Sequence, residues 1–209
     1  NNGRLYLNDS DINLTIDLNG HSIIRNVTSP IENGQVFYMG AGSLTITDTS
    51  EGKNGIITGG NSVGNGGGFY VDGGSLHLKG GSIAENNTLK HGGGIYIDGA
   101  ELFLEGGSVS DNKANGQGGG IYVNDATLTI EDGEISRNYS VIPNTEGNEN
   151  DAYTYSGTFK VNTEKIFTPT IRSMNDAIRY ILDNNNAPDE MIEEFVSDKQ
   201  TEKIMWIIS

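Results

Sequence analysis

Short apolar runs return along this chain in a fixed order, separated by glycine, Asn and Asp. The clearest series is Phe69-Tyr70-Val71, Ile95-Tyr96-Ile97 and Ile121-Tyr122-Val123, each entered through three glycines (66–68, 92–94 and 118–120) and repeating every 26 residues. Leu76-x-Leu78, Leu102-x-Leu104 and Leu128-x-Ile130 keep the same step, followed by Ile83, Val109 and Ile135, then Asn86, Asn112 and Asn138. Alternation of this kind marks strands buried on one face, and no run is long enough for a helix. A fixed period marks a stacked-repeat architecture. The pattern predicts an all-β parallel β-helix with three short strands per coil, each pairing to its counterpart about 4.8 Å away. Phe69, Val71, Leu76, Leu78, Ile83 and their equivalents form the expected core.

Either side of this series the pattern loosens without vanishing. Phe37-Tyr38-Met39 and Leu44-x-Ile46 match Phe69-Tyr70-Val71 and Leu76-x-Leu78 after six extra residues, which fit a loop near Thr49 to Asn54. Leu5-x-Leu7 and Leu14-x-Ile16-x-Leu18 read as strands, and Asn19-Gly20 as a tight turn. Downstream, Ala152-Tyr153-Thr154, Thr158-Phe159-Lys160-Val161 and Ile166 continue the pattern past a polar insertion around Pro143 to Asn150. The β-helix is therefore expected over 1–169. Residues 170–209 read as a mainly helical cap: Ser173 and Asp176 suit an N-terminus, and Met174, Ala177, Ile178, Ile181 and Leu182 share one helical face. Such a cap would cover the open strand edges of the last coil.

The glycine triplets are not phosphate loops, since no helix-forming segment follows and neither G-x-G-x-x-G nor a Walker pattern is present. They read as corners where stacked neighbours leave little space for a Cβ.

Taken with L-x-L and I-S-x-N, the GGGIYV corner resembles repeat-type bacterial surface proteins of the pectate-lyase-like superfamily, among them adhesin-like proteins and polymorphic outer-membrane proteins. Leu14 to Ile23, with its D-L-N-G-H-x-I core, looks like the coil that often precedes such repeats. The resemblance implies a right-handed coil, an extracellular or cell-surface location, and an Asn ladder stacked inside a turn, where Asn86, Asn112 and Asn138 fit. It separates lyase, hydrolase and adhesin poorly, because one fold hosts many functions.

Composition narrows the partners. The net charge of −15 argues against nucleic acid or an anionic membrane, and no apolar run is long enough to span a bilayer. There is no cysteine, so neither disulfides nor a thiolate site enters. Glycine, 30 of 209 residues, is about twice the usual share of ~7%, which the corners explain. A start at Asn1-Asn2-Gly3 suggests a piece of something longer.

Alternation also selects the candidate site. With Phe69 and Val71 inward, Gly68, Tyr70 and Asp72 face out, as do Gly94, Tyr96, Asp98 and Gly120, Tyr122, Asn124; Tyr38 and Tyr153 extend the column. A strip of aromatic rings beside carboxylate and amide acceptors suits a sugar chain, whose C–H faces stack while its hydroxyls donate. The competing expectation is a tyrosine ladder that packs only on itself. Asp72 and Asp98, one coil apart, could draw calcium, but a solvated pair is the simpler reading and no cofactor is expected. His77, aligned with Thr45, Phe103 and Thr129, and His91, aligned with Asn65 and Gln117, are expected at the surface. The galacturonase motifs and the basic column of pectate lyases are missing. The expected function is non-catalytic adhesion or binding of an extracellular polysaccharide or surface glycan. A polysaccharide lyase or glycoside hydrolase and a ligand-free stalk are the alternatives.

Overall fold

Inward-facing aliphatic residues meet across the coil, and backbone bonds join each coil to the next. The computed structural model describes residues 3–141, 152–154 and 157–161. They form a parallel β-solenoid of about 5 turns with about 26 residues per turn. There is no helix among the described residues, hence none long and apolar enough to cross a membrane. The helices expected in 170–209, Ile166 and the loop around Pro143 lie outside them.

The first sheet stacks Leu5–Leu7, Phe37–Met39, Phe69–Val71, Ile95–Asp98, Ile121–Asn124 and Ala152–Thr154 in chain order, all parallel. Both loosened coils fall in the expected register, with Tyr38 opposite Tyr70 and Tyr122 opposite Tyr153. The second sheet begins with Asn13–Asp17, Ser43–Thr47 and Ser75–Leu78, then continues into Glu101–Ser110, Ala126–Ser136 and Gly157–Val161. Ser82–Ala84, the strand that holds the expected third-run residue Ile83, and its counterparts Ser22–Ile24 and Ile56–Thr58 join the same sheet because the two longest strands run on around their corner.

A fourth ladder was not foreseen. Asn61–Ser62, Asn87–Thr88, Lys113–Ala114 and Tyr139–Ser140 pair in parallel just before the glycine corner. Two residues leave no alternation to read. Their inward members, Ser62, Thr88, Ala114 and Ser140, are small and almost wholly buried.

Core positions follow the alternation: Phe69, Val71, Leu76, Leu78 and Ile83 are 0% exposed, and their equivalents one and two coils on are no more than 4% exposed. The first coil differs, with Leu5 44% and Leu14 42% exposed, because no coil lies on its outer side among the described residues.

Two devices turn the corners. In the triplets, a Cβ on Gly67 would come 2.2 Å from the Gly93 carbonyl oxygen, so only glycine allows the coils this close. Gly68 and Gly94 also point inward: a Cβ there would meet Ile83 and Asn86, or Val109 and Asn112. The expected outward glycine shelf is thus corrected, since the corner bends before the strand's alternation begins.

The second device is the Asn ladder, which is internal as expected. Asn112 Oδ1 accepts from the Asn86 backbone N–H (3.0 Å) and from Asn86 Nδ2 (3.1 Å). Asn138 Oδ1 serves Asn112 in the same way, at 3.0 Å for each bond. Asn112 Nδ2 also donates to the Ile83 carbonyl (2.8 Å) and Asn138 Nδ2 to that of Val109 (2.8 Å). Just before each Asn, the backbone turns left-handed at Glu85 (φ 56°), Asp111 (φ 55°) and Arg137 (φ 54°). Such a turn costs a non-glycine residue roughly 1–2 kcal/mol, and the buried amide bonds that follow offset it.

Candidate functional site

Register places one tyrosine per coil at the centre of the first sheet, pointing away from the core. The column includes Tyr6, missed in the sequence although Leu5-Tyr6-Leu7 repeats the apolar-Tyr-apolar signature; it pairs opposite Tyr38. Ring centroids are 5.0 Å apart for Tyr6 and Tyr38, 5.5 Å for Tyr38 and Tyr70, 5.1 Å for Tyr70 and Tyr96, and 5.3 Å for Tyr96 and Tyr122. Three of these pairs are parallel within 7° and the fourth within 24°. Tyr153 extends the column by backbone register.

Stacking along the axis changes what the column offers. Each ring covers its neighbours' faces, so the strip presents edges and hydroxyls rather than platforms. Tyr96 and Tyr122 are only 7% exposed, against 53% for Tyr6 at the open end. The expectation of exposed rings along the whole strip is therefore corrected. At the upstream end the Arg4 guanidinium lies 4.6 Å from the Tyr38 centroid and 5.5 Å from that of Tyr6, within cation–π range.

The carboxylates are tied into the column. Tyr38 Oη donates to Asp72 Oδ2 (3.0 Å), and Tyr96 Oη reaches Asp98 Oδ2 at 3.5 Å. Asn124 Nδ2 donates to Asp98 Oδ1 (2.8 Å). The row therefore pairs acceptors with hydroxyl and amide donors instead of setting Asp72 against Asp98. No group of three or more His, Cys, Asp or Glu residues could hold a metal ion among the described residues.

Burial, with the nearby Asp72 carboxylate second, pushes the Tyr38 hydroxyl up to about 12 from an ordinary 10.0. Burial likewise raises Tyr70 and Tyr96, again with aspartate charges adding to it. A raised phenol favours the folded state while protonated, so this contribution is complete below pH 10 and is lost as pH climbs toward about 12. Absorbance at 295 nm should show the column tyrosines ionising late, together with loss of β signal. Normal titration of all tyrosines near pH 10 in the folded protein would contradict the stacked column.

One or two residues beyond Asp72, Asp98 and Asn124 the chain turns into the second sheet, and there a groove opens. Its volume is about 710 Å³, and it crosses five successive coils through Ser10–Asn13, Gly42 and Ser43, Gly74 and Ser75, Gly99–Glu101, and Asp125–Thr127. Four coil steps make it about 19 Å long. Its charged lining residues, Asp11, Glu101 and Asp125, are all acidic.

On the second sheet's outer face, Thr45, His77, Phe103 and Thr129 form one row, as expected. His77 and Phe103 stack with centroids 4.5 Å apart and planes within 6°. His77 Nδ1 lies 2.7 Å from Glu105 Oε2, and Lys79 Nζ lies 3.3 Å from Glu105 Oε1. Neither ring stands fully in solvent, because each covers one face of the other. His91 sits at its turn between Asn65 and Gln117: its backbone N–H donates to Asn65 Oδ1 (3.3 Å), and its Nδ1 accepts from the Gln117 N–H (3.0 Å). Burial, then the charge of Lys90, lowers its pKa, which suits a neutral ring accepting a bond. Its ring lies 4.6 Å from that of Tyr122, so it helps to cover the column. Arg137 makes a forked pair with Asp111 at 2.7 and 2.9 Å.

No protein-family model, curated protein or solved structure matches this chain.

Proposed function

We propose that this chain is a non-catalytic segment of a secreted or cell-surface bacterial protein of the pectate-lyase-like kind, acting in adhesion by binding an extended glycan along the coil axis. The observation that carries the reading is the groove, which runs across five coils directly beside the row of Asp72, Asp98 and Asn124. An extended sugar chain suits a site that repeats its polar groups at each coil. Contact would come from hydrogen bonds with the tyrosine hydroxyls and the Asp and Asn acceptors, since the ring faces are occupied. The acidic lining favours a neutral or amine-bearing polymer over a uronate.

The test is calorimetric titration with hexasaccharides of glucose, of glucosamine and of galacturonic acid. The first two should bind and the third should not. Tyr70→Phe removes one hydroxyl and keeps the stack, so affinity should fall by about 0.5–1.5 kcal/mol at unchanged melting temperature.

A second reading, a stalk without ligand, is favoured by the burial of Tyr96 and Tyr122. It predicts that none of the three sugars binds. Tyr96→Ala would then show only a lower melting temperature, from the loss of ring contacts to Tyr70 and Tyr122.

A further inference from the structure

In the coils that carry His77 and Phe103, the rings with an aromatic neighbour on one side only lie on the second sheet, whereas Tyr70 and Tyr96 have one on each side. We infer that Phe103 and His77 form a pyranose-stacking subsite that extends the groove, with Glu105 and Lys79 as its hydrogen-bonding groups. This rests on the glycan reading of the groove and adds a second surface to it.

Three observations support the subsite. The first is position. Glu101 lines the groove, and Phe103 stands two residues further along the same strand, on the same outward face. A chain lying in the groove therefore has Phe103 roughly 7 Å away, two residues along a strand.

The second is the composition of the row. Every tyrosine between the ends of its column has a ring on each side, whereas the His77 and Phe103 stack is only two rings deep. Its neighbours in register are Thr45 beside His77 and Thr129 beside Phe103. A threonine ends at its γ atoms, so the outer part of each flanking ring face extends beyond it. Both rings are partly exposed. A sugar ring resting on Thr129 can lay its C–H face against Phe103, and one on Thr45 can do so against His77.

The third is the polar rim. Glu105 is held by His77 on one oxygen and by Lys79 on the other, with its side chain 23% exposed. It is thus a pre-positioned acceptor beside the rings. Lys79, 50% exposed, carries further donors for sugar hydroxyls. An apolar ring face flanked by a fixed acceptor and a donor suits a pyranose, which has an apolar C–H face and a hydroxyl perimeter.

The experiment uses the intact chain with the glucose and glucosamine hexasaccharides. Phe103→Ala and Phe103→Leu should each weaken binding by about three- to tenfold, while Phe103→Trp should hold or improve it. Phe103→Leu is the decisive variant, because it keeps an apolar side chain against His77 and removes only the ring face. Phe103 ring protons should shift on adding sugar, a signal that a purely structural role would not produce. If Phe103→Leu binds like the parent while Tyr70→Phe still weakens binding, the subsite is refuted and the groove reading stands. If neither hexasaccharide binds the parent protein, both fall together.

Discussion

Asn112→Leu should cost the protein about 3–6 kcal/mol, a large share of the roughly 5–15 kcal/mol that stabilises an ordinary domain. Leu matches Asn in size but has no polar atoms. The substitution strips the acceptor from the Asn86 backbone N–H and from one bond of Asn86 Nδ2. It also strips the donor from the Ile83 carbonyl and from one bond of Asn138 Oδ1. These groups belong to a ladder whose three Asn residues are each 1% exposed, so water cannot replace what is lost. A buried group left unmatched costs about 1–3 kcal/mol, more than a net hydrogen bond contributes. The left-handed turn at Asp111 would remain without the bonds that offset it. Asn112→Asp should rescue poorly, because it keeps an acceptor but faces a carboxylate oxygen toward the Ile83 carbonyl. Urea denaturation followed by circular dichroism measures the loss. An Asn112→Leu protein within 1 kcal/mol of the parent (roughly one ordinary hydrogen bond) would show that the ladder is not what holds this corner.

Gly93→Ala should be the next most damaging change. A Cβ at Gly93 would lie 2.1 Å from the Gly119 carbonyl oxygen and within 2.7 Å of the Lys113 backbone. All of these atoms are backbone of the next coil, so no side chain can swing aside. Coils joined by ladder bonds cannot part locally without breaking those bonds. Overpacking a close-fitted site costs typically 1–3 kcal/mol, and a clash with fixed backbone belongs at or above the top of that range. A loss of about 3 kcal/mol lowers the melting temperature by roughly 6–12 °C at this chain length. Gly99→Ala is the control. Gly99 has φ 58° but nothing within 4 Å of its added Cβ, so it carries only the modest penalty of a left-handed residue. Equal melting temperatures for the two variants would mean that the close approach at Gly93 is not limiting.

Much of the architecture was legible because strand alternation and coil stacking impose periods of their own. The 26-residue step aligned Phe69, Ile95 and Ile121, and the same signature carried the register across both insertions to Tyr38 and Tyr153. The two-residue ladder from Asn61 to Ser140 was hidden because its inward residues are small and, Ala114 apart, polar, so no large apolar side chain marks it.

The site was half legible. Alternation correctly put Tyr70, Tyr96 and Tyr122 outside the core and set them one above another. It could not say how the rings would lie. Parallel stacking at 5.0–5.5 Å turned an expected set of platforms into a covered column. Glu105 illustrates the same limit, since it is 28 residues from His77 and no motif links them.

The sequence by itself determined the coil, its period, its core and which side of each strand meets solvent, because the pleat and the stacking repeat act locally at every residue. Only the tertiary structure decided which outward side chains remain available. That depends on the neighbour one coil away: another tyrosine closes a ring face, and a threonine beside Phe103 leaves part of one open. It also decided that Gly68 and Gly94 look inward and that Asp111 adopts a left-handed turn. Corner geometry is set by the packing of successive coils against one another, which a pattern along one strand does not record.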